Sequence, residues 1–222
     1  YMGATTKFTA TESANAMYYM ALAGWKTQDM LDGLEGIMYL AAASGEDLAM
    51  VSDIVTDGLT ALGYAADQST HYADVFAKTV TNSNSTVETL GEAMKYVGPI
   101  AGALNISVED TATALGLMAN AGVKSSQAGT SLRGILQRLA TNTSGARDEM
   151  ESLGVKIFDQ NGKMRDFGDI MNDETIKLSK LTDQQKTSLA KTVAGTTAMS
   201  GFLAIVNSID ADFEKLTNAI ND

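Results

Sequence analysis

Proline occurs once in this 222-residue chain, at Pro99, and this scarcity constrains the fold more than any other feature. Because proline ends or kinks helices, its near absence beside abundant alanine, methionine and leucine favours helical structure. Four capping pairs predict helix starts: Ser44 with Asp47, Ser85 with Glu88, Ser107 with Asp110, and Thr182 with Gln185. Apolar spacing predicts helices near residues 10–23, 28–43, 46–62, 67–80, 86–104, 107–120, 126–140, 145–153, 167–180, 183–194, 198–209 and 211–221. The sequence therefore predicts a mainly all-α fold of packed helical hairpins.

One segment departs from helical spacing. Residues 155–158 alternate between apolar and polar side chains, and Asn161-Gly162 follows before Lys163. Asn-Gly between two short alternating runs predicts a small β-hairpin near residues 155–165. We expect a helical repeat-like core over residues 1–145. The hairpin and the C-terminal helices, over residues 146–222, would then pack on that core or continue it.

The chain repeats a string of residues at an offset of 98 positions. Residues 9–26 align with residues 107–124, and seven pairs are identical: Ala14/Ala112, Ala16/Ala114, Met20/Met118, Ala21/Ala119, Ala23/Ala121, Gly24/Gly122 and Lys26/Lys124. Each copy is typical of a helix, a glycine-containing turn and a second helix, a unit that buries its apolar face against its neighbours. Chance similarity between alanine-rich helices is the alternative, and the shared string favours a duplication.

The amino-acid composition excludes many kinds of catalytic and metal-binding site. The chain has no cysteine, which excludes disulfides, thiol nucleophiles and cysteine-ligated metals. Its one histidine, His71, lies in a predicted helix without triad spacing, so we expect an ordinary surface or helix-start histidine. Asp159 and Asn161 begin like a calcium loop, but Lys163 and Arg165 follow, which favours the hairpin. No two acidic residues form a recognisable acid–base pair. We therefore expect no enzyme activity, no cofactor and no metal site.

The net charge and the length of the apolar runs argue against nucleic-acid binding and against a transmembrane segment. The formal net charge of −11 would repel a phosphate backbone, so nucleic-acid binding is not expected. The longest apolar runs are far shorter than the roughly 18–20 residues that span a bilayer, so no transmembrane segment is expected in this chain.

Residues 92–140 carry three linked strings: Met94-Lys-Tyr-Val-Gly-Pro99, Ser107-Val-Glu-Asp-Thr111, and Asn120-Ala-Gly-Val-Lys-Ser-Ser-Gln-Ala-Gly-Thr-Ser-Leu-Arg133. In this order they resemble the core region of phage tail tape measure proteins. Asn105 stands where glycine is commoner, and asparagine also suits a helix end. Residues 16–25, 153–167 and 194–202 resemble the same family, so the resemblance covers nearly all of the chain.

The resemblance implies a function. Members of this family are long helical proteins that fill the tail tube of long-tailed phages, set tail length and leave the tail ahead of the DNA. It implies that the chain is a structural module of a phage or prophage tape measure protein. Its location would be the tail lumen of the virion, and the host bacterial cytoplasm before assembly. Implied partners are tube proteins, tail-tip proteins and assembly chaperones, with the chain itself as a further candidate. The alternative is a membrane-active or host-envelope-interacting module used at DNA delivery.

Four residues are candidates for partner contact: Trp25, Lys124, Gln127 and Arg133. The last three belong to the family-like segment 119–133, where Lys124 and Arg133 are the cations that could be presented to a partner. Solvated surface charge beside a turn is an equally good interpretation of both cations. Trp25 follows the Gly24 turn and is either a half-buried cap or a contact anchor.

Overall fold

The computed structural model describes residues 7–208 and 210–221. Within them lie eleven α-helices: α1 Ala10–Leu22, α2 Thr27–Ser44, α3 Leu48–Leu62, α4 Ser69–Asn82, α5 Val87–Ala103, α6 Val108–Asn120, α7 Ser125–Thr141, α8 Ala146–Ser152, α9 Phe167–Leu178, α10 Asp183–Val206 and α11 Asp210–Asn221. The mainly helical fold is confirmed. The two helices predicted near 183–194 and 198–209 form the single helix α10, whose backbone leaves the helical region at Gly195 (φ 70°, ψ 174°).

Two of the four predicted capping pairs are confirmed. The side chains of Ser107 and Thr182 accept hydrogen bonds from the N–H groups of Asp110 and Gln185. The other two predictions were wrong by one to three residues. Helix α2 extends through Ser44, so Asp47 caps α3, and Thr86 rather than Ser85 caps α5.

The repeated string forms the same turn twice. After α1, Gly24 adopts φ +83° and the Trp25 N–H donates to the Met20 carbonyl at 3.1 Å. After α6, Gly122 adopts φ +85° and the Val123 N–H donates to the Met118 carbonyl at 2.9 Å. Both are Schellman turns, in which a left-handed residue ends a helix and an apolar residue folds back over its last turn. The same bond follows α3, α5 and α8, where Tyr64, Ile106 and Val155 are the donors.

These turns produce two layers of helices. Up to α7, most helices pack chiefly on the helix two places along the chain, which places α1, α3, α5 and α7 in one layer and α2, α4 and α6 in a second. Helix α10 packs on α7 and continues the first layer, and α11 packs on α6 and α4 and continues the second. Helices α8 and α9 pack against α10. The predicted boundary near residue 145 stays a prediction. Helix α7 before it and helix α10 after it lie in direct contact.

The predicted β-hairpin was wrong. In the described part of the chain there is no strand, and residues 155–165 contain a single antiparallel bridge between Phe158 and Met164. The turn itself forms, because the Asp159 N–H donates to the Lys163 carbonyl at 2.8 Å. Helix α9 begins at Phe167, so the second arm is too short to extend the ladder, and an isolated two-stranded ribbon is marginal in water. Val155 and Ile157 instead bury their side chains in the helical core.

The hydroxyl groups of two tyrosines differ in hydrogen bonding, and this difference leads to a paired prediction about the stability of the fold. The Tyr72 hydroxyl is buried without a hydrogen-bond partner among the described residues, whereas the Tyr64 hydroxyl accepts from the Val108 N–H at 3.3 Å. A buried unsatisfied polar group costs about 1–3 kcal/mol, and an ordinary hydrogen bond contributes about 1 kcal/mol. In urea denaturation we therefore expect Tyr72→Phe to stabilise the fold by about 1 kcal/mol and Tyr64→Phe to destabilise it by a similar amount. Equal losses in both variants would contradict this assignment.

Candidate contact surfaces

The structure places Trp25 partly inside the fold. Its ring lies over α2, where a Cβ atom added at Gly33 would stand 2.7 Å from Trp25 Cζ3. The side chain is packed against the core and keeps part of its surface exposed. The ring covers the start of α2, and a glycine at position 33 leaves the space that the ring occupies. The role of Trp25 in partner contact stays a prediction.

The other three candidates do not gather in one site. Lys124 is partly buried and faces a narrow crevice lined by residues of α5, α6 and α7. Gln127 is exposed on α7, and Arg133 is exposed further along that helix, where it lines a cleft against α10. Their contact roles stay predictions, and Lys124, just before α7, and Arg133, within it, lie in different surroundings.

The family-like segment contributes to an open groove of about 440 Å³. The ends of α6 and α10 and the start of α11 form its walls, and its lining residues are Leu117, Asn120, Ala121, Val123, Ser200, Leu203, Ala204, Asn207, Ser208 and Asp212. Ala121 and Val123 come from the Schellman turn after α6. The contribution of α10 and α11 was not foreseen, because sequence spacing gives no information on which distant helices meet.

A pair of acidic side chains joins α6 to α9. The side chain of Asp110 on α6 lies near that of Asp166, which precedes α9. The Asp166 side chain accepts a hydrogen bond from the Asp169 N–H at 3.1 Å, in the first turn of α9. Asp110 also accepts from the Gly168 N–H, and a Cβ atom at Gly168 would stand 2.7 Å from Asp110 Oδ1. Burial, reinforced by the charge of Asp166, raises the pKa of Asp110 to about 6.

This pair has a structural explanation. Both carboxylates face N–H groups in the first turn of α9, where a helix favours negative charge. From sequence, Asp110 is expected only near the start of α6, as the capping partner of Ser107, and no acid–base pair is recognisable. Residues 110 and 166 are far apart in the chain, so no local signal could have revealed the contact.

His71 lies near the start of α4 with 48% of its side chain exposed, and its Nε2 is 2.7 Å from Glu109 Oε1. The expected surface position is therefore confirmed, and the carboxylate partner comes from α6 rather than from α4. Across residues 7–208 and 210–221, no three histidine or acidic side chains are grouped closely enough to hold a metal ion.

Helix α10 bears on the membrane alternative. By length and composition alone it could cross a membrane, which the two shorter helices predicted from sequence could not. Half of its most apolar 18-residue window is buried inside the fold. The break at Gly195 also interrupts its helical conformation. The burial is typical of a helix packed in a protein core.

Comparison with known proteins identifies one group of relatives. The family described as "Phage-related minor tail protein" matches residues 1–195. The chain is 38% identical over 219 residues to the tape measure protein of Pneumococcus phage Dp-1, covering 99% of this chain and 19% of that protein. It is 25% identical over 221 residues to the probable tape measure protein of Escherichia phage P2, covering 98% of this chain and 27% of that protein. No solved structure matches the chain.

Proposed function

Because the chain belongs to the phage-related minor tail protein family, we propose that it is a structural module of a phage or prophage tail tape measure protein. The observation that carries this proposal is the similarity to the Dp-1 tape measure protein along 99% of the chain. The chain spans only about a fifth to a quarter of the relatives it matches, which supports a module rather than a complete ruler. The module would act in the virion tail by contact with other tail proteins, and without catalysis.

The packed fold makes the proposal more specific. A continuous helix of 222 residues would extend about 330 Å, because each residue adds about 1.5 Å. A compact chain of this length has a radius of gyration of only about 17 Å. A module that keeps its two helical layers in the tail therefore contributes little length for its residues. We propose that it supports tail assembly as a folded unit, while extended parts of the tape measure protein set most of the length.

The proposed partners of the module and its path from synthesis to ejection rest on its membership of the family. Tube and tail-tip proteins and assembly chaperones are the proposed partners, and contact between copies of this chain is a further one. The module would be made in the host cytoplasm, enter the tail lumen during assembly and leave it during genome ejection. A membrane-active role is not favoured, because α10, the one helix among the described residues that is long and apolar enough to span a bilayer, has half of its most apolar window buried in the fold.

The proposal predicts the effect of removing the module. An in-frame deletion in the phage or prophage that encodes the chain should greatly reduce the number of complete tails seen by electron microscopy. Any tails that form should be shorter by much less than the roughly 330 Å expected of a continuous helix. Normal numbers of infectious, full-length tails would contradict the proposed role. Shortening by the full 330 Å would show that the module is extended in the tail.

A further inference from the structure

The strongest unassigned feature is a cleft of about 200 Å³ between α7 and α10. Its polar lining consists of two arginines, three hydroxyl-bearing residues and one amide, namely Arg133, Arg138, Thr130, Ser131, Thr197 and Gln137. No carboxylate among the described residues lines the cleft. In a chain with 27 acidic and 16 basic residues, two arginines thus line one small cleft without an acidic side chain beside them.

Neither arginine is paired with an acidic side chain among the described residues. Three lysine or arginine ion pairs and one histidine–carboxylate contact form there, and Arg133 and Arg138 belong to none of them. A carboxylate from elsewhere could therefore approach both guanidinium groups without displacing an existing ion pair.

The break in α10 fixes the position of Arg138. Its Nη1 donates to the Thr192 carbonyl at 3.4 Å, in the turn before Gly195. A Cβ atom at position 195 would stand 2.8 Å from Arg138 Nη2, so the glycine leaves room for the guanidinium group. Thr197 follows the break and adds its hydroxyl to the same cleft. The fold thus places one arginine against the backbone of α10 and leaves Arg133 exposed at the rim.

We propose that this cleft binds a single carboxylate group presented by an acidic segment of a partner protein. Arginine forks match the two oxygens of a carboxylate, and the nearby threonine hydroxyls can donate further hydrogen bonds. The cleft has room for such a group, and the net charge of −11 disfavours a polyanion such as nucleic acid. The proposal concerns the ligand of this cleft and does not depend on the assignment to a phage tail.

The test uses the 222-residue chain and an acetylated, amidated glycine peptide with a single glutamate as the probe, with inorganic phosphate in a separate titration. Binding is measured at about 0.15 M salt, where exposed charges more than about 8 Å apart are largely screened, by calorimetry and by the amide NMR signals of residues around Thr197. We expect the peptide to shift these signals. Arg133→Gln should weaken peptide binding about tenfold, because one charged hydrogen bond to the carboxylate would be lost. Because Arg133 is exposed, this variant should keep its fold.

Lys191→Gln is the matched control, since it removes one exposed positive charge from α10 at a residue that does not line the cleft. It should change peptide binding by less than about twofold, the effect of a distant screened charge. Arg133→Lys should recover only part of the lost affinity, because lysine cannot form the two-bond fork. Three results would overturn the proposal: no peptide binding, equal weakening in Arg133→Gln and Lys191→Gln, or binding of phosphate but not of peptide.

Discussion

Replacing Gly129 by alanine should destabilise the fold by about 3 kcal/mol, even though alanine is the better helix former. Gly129 lies in α7 where this helix meets α5. An added Cβ atom would overlap the carbonyl oxygen of Ala93 and stand 2.8 Å from its carbonyl carbon. Backbone atoms cannot move aside as a flexible side chain can, so α5 and α7 would have to separate. Urea denaturation of the purified chain measures the loss.

Gly134→Ala is the matched control in the same helix. Its added Cβ atom would meet only the Ala198 Cβ, at an ordinary distance of 3.8 Å. The gain in helix propensity should therefore stabilise the chain by up to about 1 kcal/mol. The two substitutions should thus act in opposite directions, and destabilisation of similar size in both would contradict the described packing of α5 against α7.

Replacing Asp110 by asparagine should stabilise the fold at pH 8 by up to about 3 kcal/mol. The pKa of Asp110 is raised from 3.8 to about 6, so the folded chain binds more protons than the unfolded chain between these values. The contribution of this residue to stability therefore falls as pH rises from about 4 to 6. Asparagine keeps an oxygen that can accept from the Gly168 N–H and removes the buried charge.

Thermal unfolding of both proteins between pH 4 and pH 8 checks this prediction. The difference between the variant and the wild type should be small near pH 4, grow through pH 6 and then remain constant. A variant that is less stable than the wild type at pH 8 would contradict the prediction. That result would mean that the charged Asp110 side chain stabilises the fold by capping α9 more than the burial of its charge destabilises it.

Most of the helices could be predicted from sequence, because their start and stop signals are local. The Ser107 and Thr182 caps lie within three residues of the N–H groups that they satisfy. The Gly24 and Gly122 turns follow from two copies of one string. The β-hairpin prediction was wrong because a local Asn-Gly signal specifies a turn and not the length of the arms beside it.

The inter-helix contacts could not be predicted in the same way. The Glu46 side chain accepts from the Val87 and Glu88 N–H groups at 3.0 Å, and so caps α5 from a loop 41 residues earlier. Asp110 does the same for α9 from α6. Arg138 meets the carbonyl of Thr192 only because α7 and α10 lie side by side. Such contacts depend on which helices become neighbours, which apolar spacing within one helix does not determine.

Whether the chain stays a packed helical module in the tail, as proposed, is tested most directly by a cysteine pair. The chain has no cysteine, and a Cβ atom at Gly134 would lie 3.8 Å from the Ala198 Cβ, a distance typical of disulfides. After mild oxidation, mass spectrometry should find the disulfide of Gly134→Cys/Ala198→Cys in the isolated chain and in purified tails. The control pair, Gly134→Cys with Ala14→Cys on α1, should stay reduced within each chain. Free thiols in the tails, alongside a disulfide in the isolated chain, would contradict the claim.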